Sequence, residues 1–329
     1  MLLPATYFSA LLALIGAVAC FSFWPNQYKS AEARWRFELF ALDFGIGALI
    51  LGAVAAFTIG TFGPDMSFND RLLIAGQSAA LWVVGTGAIC AFGYLLLLVS
   101  TSLLGMAAAF PISFGTTALL IGSSHFHLLK AVPAAAGLAL FAFTVASAAV
   151  ASRSLRSGPR RASWGKGLGL AIAAGVPFAV VQWMLRHTSD PEFGPGPYAT
   201  ALLFPVGFLL ATPAYDFFFM HIKLVGNPIG FASYKVGGWR FHLPGIVAGA
   251  VWGLGLLLLM LALSLSSEHA LPSSLVFCLP LLSIPVCVLL ALFYWREYAN
   301  SPRSARMLLI LCALGFAVGS VCLGLSYID

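Results

Sequence analysis

Charge is what this sequence has least of. Asp, Glu, Lys and Arg make up 9% of the 329 residues, against 60% hydrophobic. A soluble globular chain is about 25% charged and about 45–50% apolar. Such scarcity excludes a compact water-soluble domain, which could not hide this much apolar surface, whereas a lipid solvent removes the problem. The alternation of faces over about 10 residues that marks a membrane barrel is missing too. Long unbroken apolar runs predict helices instead, because every backbone polar group in hydrocarbon must bond internally.

Reactive motifs are equally scarce. All six cysteines (Cys20, Cys90, Cys278, Cys287, Cys312 and Cys322) fall inside apolar segments, and no Cys-x-x-Cys occurs. They read as small buried hydrophobes. The six histidines have no metal spacing; His125 and His127 are two apart in a loop. There is no His-Glu-x-x-His and no Gly-x-Ser-x-Gly. Gly158 through Gly165-Lys166-Gly167 has the wrong spacing for a phosphate loop and no Ser or Thr after the Lys. The sequence therefore points to no metal, no cofactor and no enzyme. The N-terminal Met1–Tyr7 stretch carries no Lys or Arg, so the first apolar segment reads as a retained membrane helix rather than a cleaved signal.

What is present is a series of stretches long enough to span, each needing ~20 mostly apolar residues. Ten are expected, at 6–23, 37–62, 77–101, 103–123, 132–151, 167–185, 198–220, 242–264, 271–294 and 307–327. The third and fourth are separated only by Ser100, Thr101 and Ser102, which predicts a tight turn near Ser102. With ten spans, fourteen of the seventeen basic residues fall in odd-numbered loops; Arg71, Lys130 and Arg186 are the exceptions. The net charge of +6 thus reflects orientation rather than nucleic-acid binding. Cytoplasmic loops carry the excess of Lys and Arg, so both termini are expected outside, in a multi-pass protein of a bacterial inner (plasma) membrane. Ten spans divide into residues 1–151, a basic cytoplasmic loop at 152–166, and residues 167–329. Five spans per half is an odd number, so the halves face opposite ways. The predicted fold class is all-α integral membrane, two inverted five-helix repeats, a common build for secondary transporters. Ala80-Leu81-Trp82 with Gly85, and Ala250-Val251-Trp252 with Gly253 and Gly255, echo each other across the halves.

Proline and polar residues point to a path. Pro111 lies in the fourth span, and Pro280 and Pro285 in the ninth, the corresponding positions of the halves. Proline removes a helix hydrogen bond, so these helices should kink or open. Pro-interrupted segments in matching positions are a pointer to a transporter site. Gln77, Ser113, Thr116 and Gln182, with Trp82 and Trp252, are the expected lining of a polar solute pocket. The stripes Gly245, Gly249, Gly253 and Gly315, Gly319 predict close helix packing. Glu38, Asp43 and Asp216 are the carboxylates nearest the membrane interior, with Asp43 ~9 Å along its helix at 1.5 Å per residue. Intramembrane carboxylates are costly and mark function. These three are the candidates for coupling or gating, with Arg34 and Arg36 within reach as partners. Glu297, by contrast, reads as a loop charge.

The run from Arg34-Trp35-Arg36-Phe37-Glu38 to Asp43-Phe44, then Phe57 to Gly63, resembles a known family. So do Gly105-Met106-Ala107-Ala108-Ala109-Phe110-Pro111-Ile112, Gly245 to Gly255 around Trp252, and Trp295-Arg296-Glu297-Tyr298. The pattern is similar to the ureide permease and bacterial glucose- or rhamnose-uptake branch of the drug/metabolite transporter superfamily. That resemblance implies ten spans and secondary transport of a small polar metabolite such as a sugar, ureide or nucleobase, often with protons. One departure stands out. Members tend to carry Asn in the third and eighth spans, and residues 81–99 and 253–263 contain none.

The expected partners are a small-molecule solute, protons as candidate coupling ion, and the lipid bilayer, with no nucleic acid. A non-transporting membrane scaffold or sensor competes with this reading, and the missing Asn residues lean that way. A membrane-embedded enzyme is a weaker rival, because the third to sixth spans contain no Asp or Glu.

Overall fold

The structure, a computed structural model, describes residues 3, 6–124, 130–154, 163–188, 194–222, 224–225, 229–264 and 279–326, with side chains omitted for 186–188. His125, His127, Cys278 and both chain ends therefore lie outside the described residues. Every regular element among the described residues is helical: α1 (Tyr7–Ala31), α2 (Phe37–Phe57), α3 (Phe68–Leu104), α4 (Met106–Ser124), α5 (Ala131–Ser152), α6 (Trp164–Thr188), α7 (Gly196–His221), α8 (Ala232–Val236), α9 (Trp239–Leu263), α10 (Ser283–Leu289) and α11 (Arg303–Leu325). Among the described residues nine helices are long and apolar enough to cross a bilayer, and a shorter apolar helix covers Leu279–Tyr294. The protein is thus an all-α multi-pass membrane protein. Its expected ninth span begins in residues outside the description, so nine full-length helices are seen rather than ten.

Local chemistry sets the helix ends. α1 opens on a capping box: Ser9 N–H donates to Thr6 Oγ1 at 3.2 Å and Thr6 N–H to Ser9 Oγ at 3.1 Å. The turn expected near Ser102 falls three residues later. Ser100, Thr101 and Ser102 stay helical because their hydroxyls bond back to the Leu97 and Leu98 carbonyls. The chain turns instead at Gly105, whose φ of 83° is open to glycine at little cost. α3 is itself two helices joined at Gly76, with φ 79° and ψ 173°, so its spanning part begins at Gln77. α4 runs through Pro111 as one helix. Before Pro285 the helix is interrupted at Leu282, and a π-helical turn at Leu290–Tyr294 follows α10.

The helices form two compact units, each drawn from both sides of the central loop. The first comprises Met1–Phe92 with Val180–Leu271, the second Gly93–Ala179 with Pro272–Asp329. In the first, α2 lies between α7 and α9, and α1 packs on α9. In the second, α5 packs against α4 and α11, and α10 against α4 and α11. The ends of the central loop are held together in this second unit. The Arg153 guanidinium sits 4.4 Å from the Trp164 ring centroid, and Trp164 Nε1 donates to Ser152 Oγ at 2.9 Å.

The Gly245, Gly249, Gly253 stripe is the face of α9 against α2. A Cβ on Gly249 would lie 1.8 Å from the Phe44 carbonyl oxygen, and one on Gly47 1.9 Å from that of Ile246. Backbone meets backbone here, so no side chain can move aside. We expect Gly249→Ala to cost at least about 1–3 kcal/mol as an overpacked site. Gly169→Ala, where an added Cβ meets nothing within 4 Å, should be neutral or slightly stabilising. Thermal unfolding in detergent compares them, and equal melting temperatures would contradict the close approach.

Candidate functional site

The short link between α1 and α2 delivers Trp35 and Arg36 to the start of α2. The Arg36 guanidinium forks onto Glu38, with Nη2 at 2.5 Å and Nε at 3.1 Å from the two carboxylate oxygens. Glu38 is fully buried, so this paired, charge-assisted contact holds its charge away from water.

Asp43 lies five residues further along α2 and is also fully buried. Arg36 pairs with Glu38, and three other donors converge on Asp43. Trp35 Nε1 donates to Oδ2 at 2.8 Å, the Tyr234 hydroxyl from α8 to Oδ1 at 2.5 Å, and His242 Nδ1 from α9 lies 2.9 Å from Oδ1. Trp Nε1–H is a donor only. Asp43 thus accepts from Trp35 and Tyr234, and from His242 in the tautomer with its proton on Nδ1, the pattern that suits an ionised carboxylate.

Aromatic packing fixes these donors. The Trp35 ring stacks on Phe241 at 5.6 Å and takes His242 edge-on at 4.8 Å. Glycine makes the room: a Cβ on Gly237 would sit 2.3 Å from the Trp35 ring, and one on Gly245 2.4 Å from Asp43 Cβ. Tyr234 lies in the short α8, outside the spans. Burial first, then the Asp43 hydrogen bond and charge, push its phenol well above the usual range. It stays a donor throughout physiological pH.

Asp216 on α7 is the third buried carboxylate of this unit. Neither of its oxygens has a hydrogen-bond partner among the described residues, and the charge of Glu38 acts on it. α2 thus presents Asp43 to α8 and α9 and Glu38 toward α7. Glu38, Asp43 and Asp216 belong to one unit, but to two different environments.

The expected solute-lining residues are distributed otherwise. In the first unit Gln77 and Gln182 are exposed, and Trp82 is 44% exposed, with its ring edge-on to Trp183 at 6.1 Å. Trp252 packs among aromatic rings, Phe204 at 5.4 Å, Phe44 at 5.5 Å and Phe21 at 6.4 Å. In the second unit Pro111, Ser113 and Thr116 share α4, and Ser113 and Thr116 abut Gly175 of α6. A Cβ on Gly175 would lie 2.7 Å from Thr116 Cβ and 2.8 Å from the Ser113 carbonyl. Ser113 Oγ is buried with no partner among the described residues, while Thr116 bonds back to Ile112. The Pro280 carbonyl accepts from Ser283 Oγ at 2.7 Å.

Reading the sequence misses Trp35, Tyr234 and His242 as partners of Asp43. It also misplaces Glu297. Although it lies in a turn, its carboxylate caps α4, accepting from Met106 N at 3.0 Å and Ala107 N at 2.9 Å. Tyr298 beside it is fully buried, and its hydroxyl donates to the Leu104 carbonyl at 3.0 Å. The available signal is the acidic residue set between two aromatics, Trp295 and Tyr298, in an otherwise polar link. Among the described residues no group of three or more His, Cys, Asp or Glu is placed to hold a metal.

No family model and no curated protein matches the chain. A solved structure described as "Crystal structure of protein" is similar in fold, with a TM-score of 0.54 and 21% identity over 96% of this chain and 98% of that one. At that identity the likeness speaks for the fold alone, a helical architecture shared by a chain of nearly the same length.

Proposed function

We propose that this protein is a secondary transporter of a small polar metabolite, of the sugar, ureide or nucleobase kind, working by alternating access with protons as coupling ion. The observation that carries the reading is the pair of fully buried carboxylates, Asp43 and Asp216, on helices long enough to span a bilayer. Intramembrane carboxylates are expensive and mark ion and solute paths. The resemblance to the drug/metabolite transporter superfamily supports the same reading, with ten spans arranged as two inverted five-helix repeats. Uptake by proteoliposomes from a panel of labelled sugars, nucleobases, ureides and amino acids tests it. At least one solute should accumulate when an inward proton gradient is imposed; entry no faster than into protein-free vesicles across the panel would remove the proposal.

A membrane scaffold or sensor is the second reading. The packing of Trp252 among phenylalanine rings, in a span without Asn, is what favours it. The same panel separates the two.

The Lys and Arg distribution supports a cytoplasmic central loop and both termini outside, which places the Asp43 and Glu38 end of α2 near the cytoplasm. A reporter fused after Asp329 should be active only in the form that reads the outer side, and one in the 155–162 loop only in the form that reads the cytoplasm. A cytoplasmic C-terminus would show that the span count or the charge rule misleads.

A further inference from the structure

We infer that Asp216 is the seat of the coupling proton: in this conformation its carboxyl carries a proton and that of Asp43 does not. The word coupling rests on the transporter reading; the proton itself does not. The two residues are chemically alike and equally buried, and they differ in what surrounds them. Asp43 accepts from Trp35, Tyr234 and His242. Asp216 has two oxygens out of contact with water and no donor among the described residues. An ionised carboxylate without partners in such a place carries a heavy desolvation penalty, which is escaped by neutralisation.

The surrounding charges point the same way. From α2, Glu38 acts on Asp216 as a like charge, and two neighbouring carboxylates disfavour double ionisation. The cation nearest to this pair in sequence, Arg36, is already forked onto Glu38. From α9, His242 is engaged with Asp43 and Arg240 is exposed. From α8, Tyr234 serves Asp43 and Lys235 is exposed. On α7 itself, Tyr215 packs against Phe92, and His221 Nδ1 bonds its own helix at the Phe217 carbonyl. Lys223 lies outside the described residues.

This arrangement can bind and release one proton. The carboxyl O–H of Asp216 gives its proton to water when a second conformation opens the site, leaving a hydrated carboxylate. The proton returns from water before the site closes again. Asp43, saturated with donors, stays ionised and ties α2 to α8 and α9 through the cycle.

Infrared spectroscopy of the purified full-length protein tests this without any solute. At neutral pH the wild type should show the carbonyl stretch of a protonated carboxylic acid. Asp216→Asn should abolish that band, and Asp43→Asn should leave it. Asn replaces a neutral acid by a neutral amide of the same shape, so folding should be kept; Asp216→Leu serves as a second variant. A wild type without the band, as when Lys223 pairs with Asp216, would overturn the inference. So would a band that survives in Asp216→Asn or vanishes in Asp43→Asn. Because no transport enters the measurement, a protein that shows the band and moves no solute would sink the transporter reading alone.

Discussion

Asp43→Ala should lower the stability of the protein by about 3 kcal/mol, since each buried donor left unsatisfied costs about 1–3 kcal/mol. The substitution strands three of them at once: the Trp35 indole N–H, the Tyr234 hydroxyl and His242 Nδ1. The sum is kept near the lower end because Tyr234 and His242 are only partly buried, and water can replace part of what they lose. Ala keeps the Cβ against which Gly245 is moulded, so the α2–α9 contact at that point is retained. Tyr234→Phe removes one donor and leaves Asp43 with two, so it should cost about 1 kcal/mol, the usual net worth of a hydrogen bond. Asp43→Asn should fall between, because one oxygen remains as acceptor. Thermal unfolding in detergent ranks the series. An Asp43→Ala protein as stable as the wild type would mean that the three donors do not depend on this carboxylate.

The second large effect is expected at the other unit. Glu297→Ala should destabilise by about 2 kcal/mol, the upper range for loss of a helix cap. Two backbone N–H groups of α4 lose a charged acceptor there, and a negative charge at a helix N-terminus is itself favourable. Glu297→Gln keeps an acceptor oxygen but not the charge, and should lose about half as much on the same grounds. Gly105→Ala strikes the same joint from the other side. Its φ of 83° is one that an L side chain resists at about 1–2 kcal/mol, and the new Cβ would lie 2.9 Å from Glu297 Oε2. The clash is relieved when the carboxylate is absent, so the double variant Gly105→Ala, Glu297→Ala should be less damaged than the sum of the two singles. Strict additivity in unfolding experiments would show that Glu297 does not sit against Gly105.

How much of this was open to a reader of the sequence follows from the range of the forces involved. Span identity is a property of twenty consecutive residues, so composition alone gives nine of the helices. The joint between α3 and α4 is readable to within a few residues, but Ser100, Thr101 and Ser102 suggest a turn because such hydroxyls often compete with helices. In a buried helix they have only their own carbonyls to bond, and the turn moves to Gly105. The Gly245, Gly249 and Gly253 stripe is legible because it obeys helical spacing. Asp43 and Asp216 are legible as carboxylates in apolar context. What no spacing rule supplies is the difference between them, because the donors on Asp43 from α8 and α9 come from 191 and 199 residues away in the chain. Glu297 was hidden for the same reason: the amides it caps are 190 and 191 residues away. Gln77 and Gln182 stand out in the sequence by polarity alone, and both are exposed on their unit.

The proposed proton coupling through Asp216 is tested most directly by proton movement in sealed proteoliposomes with a pH dye inside. A solute that scores in the uptake panel is added outside with no imposed pH gradient. The wild-type interior should acidify as solute enters. Asp216→Asn should admit the solute downhill, and still exchange it, with no acidification. Solute entry into wild-type vesicles without any change of internal pH, or acidification that persists in Asp216→Asn, would contradict the account.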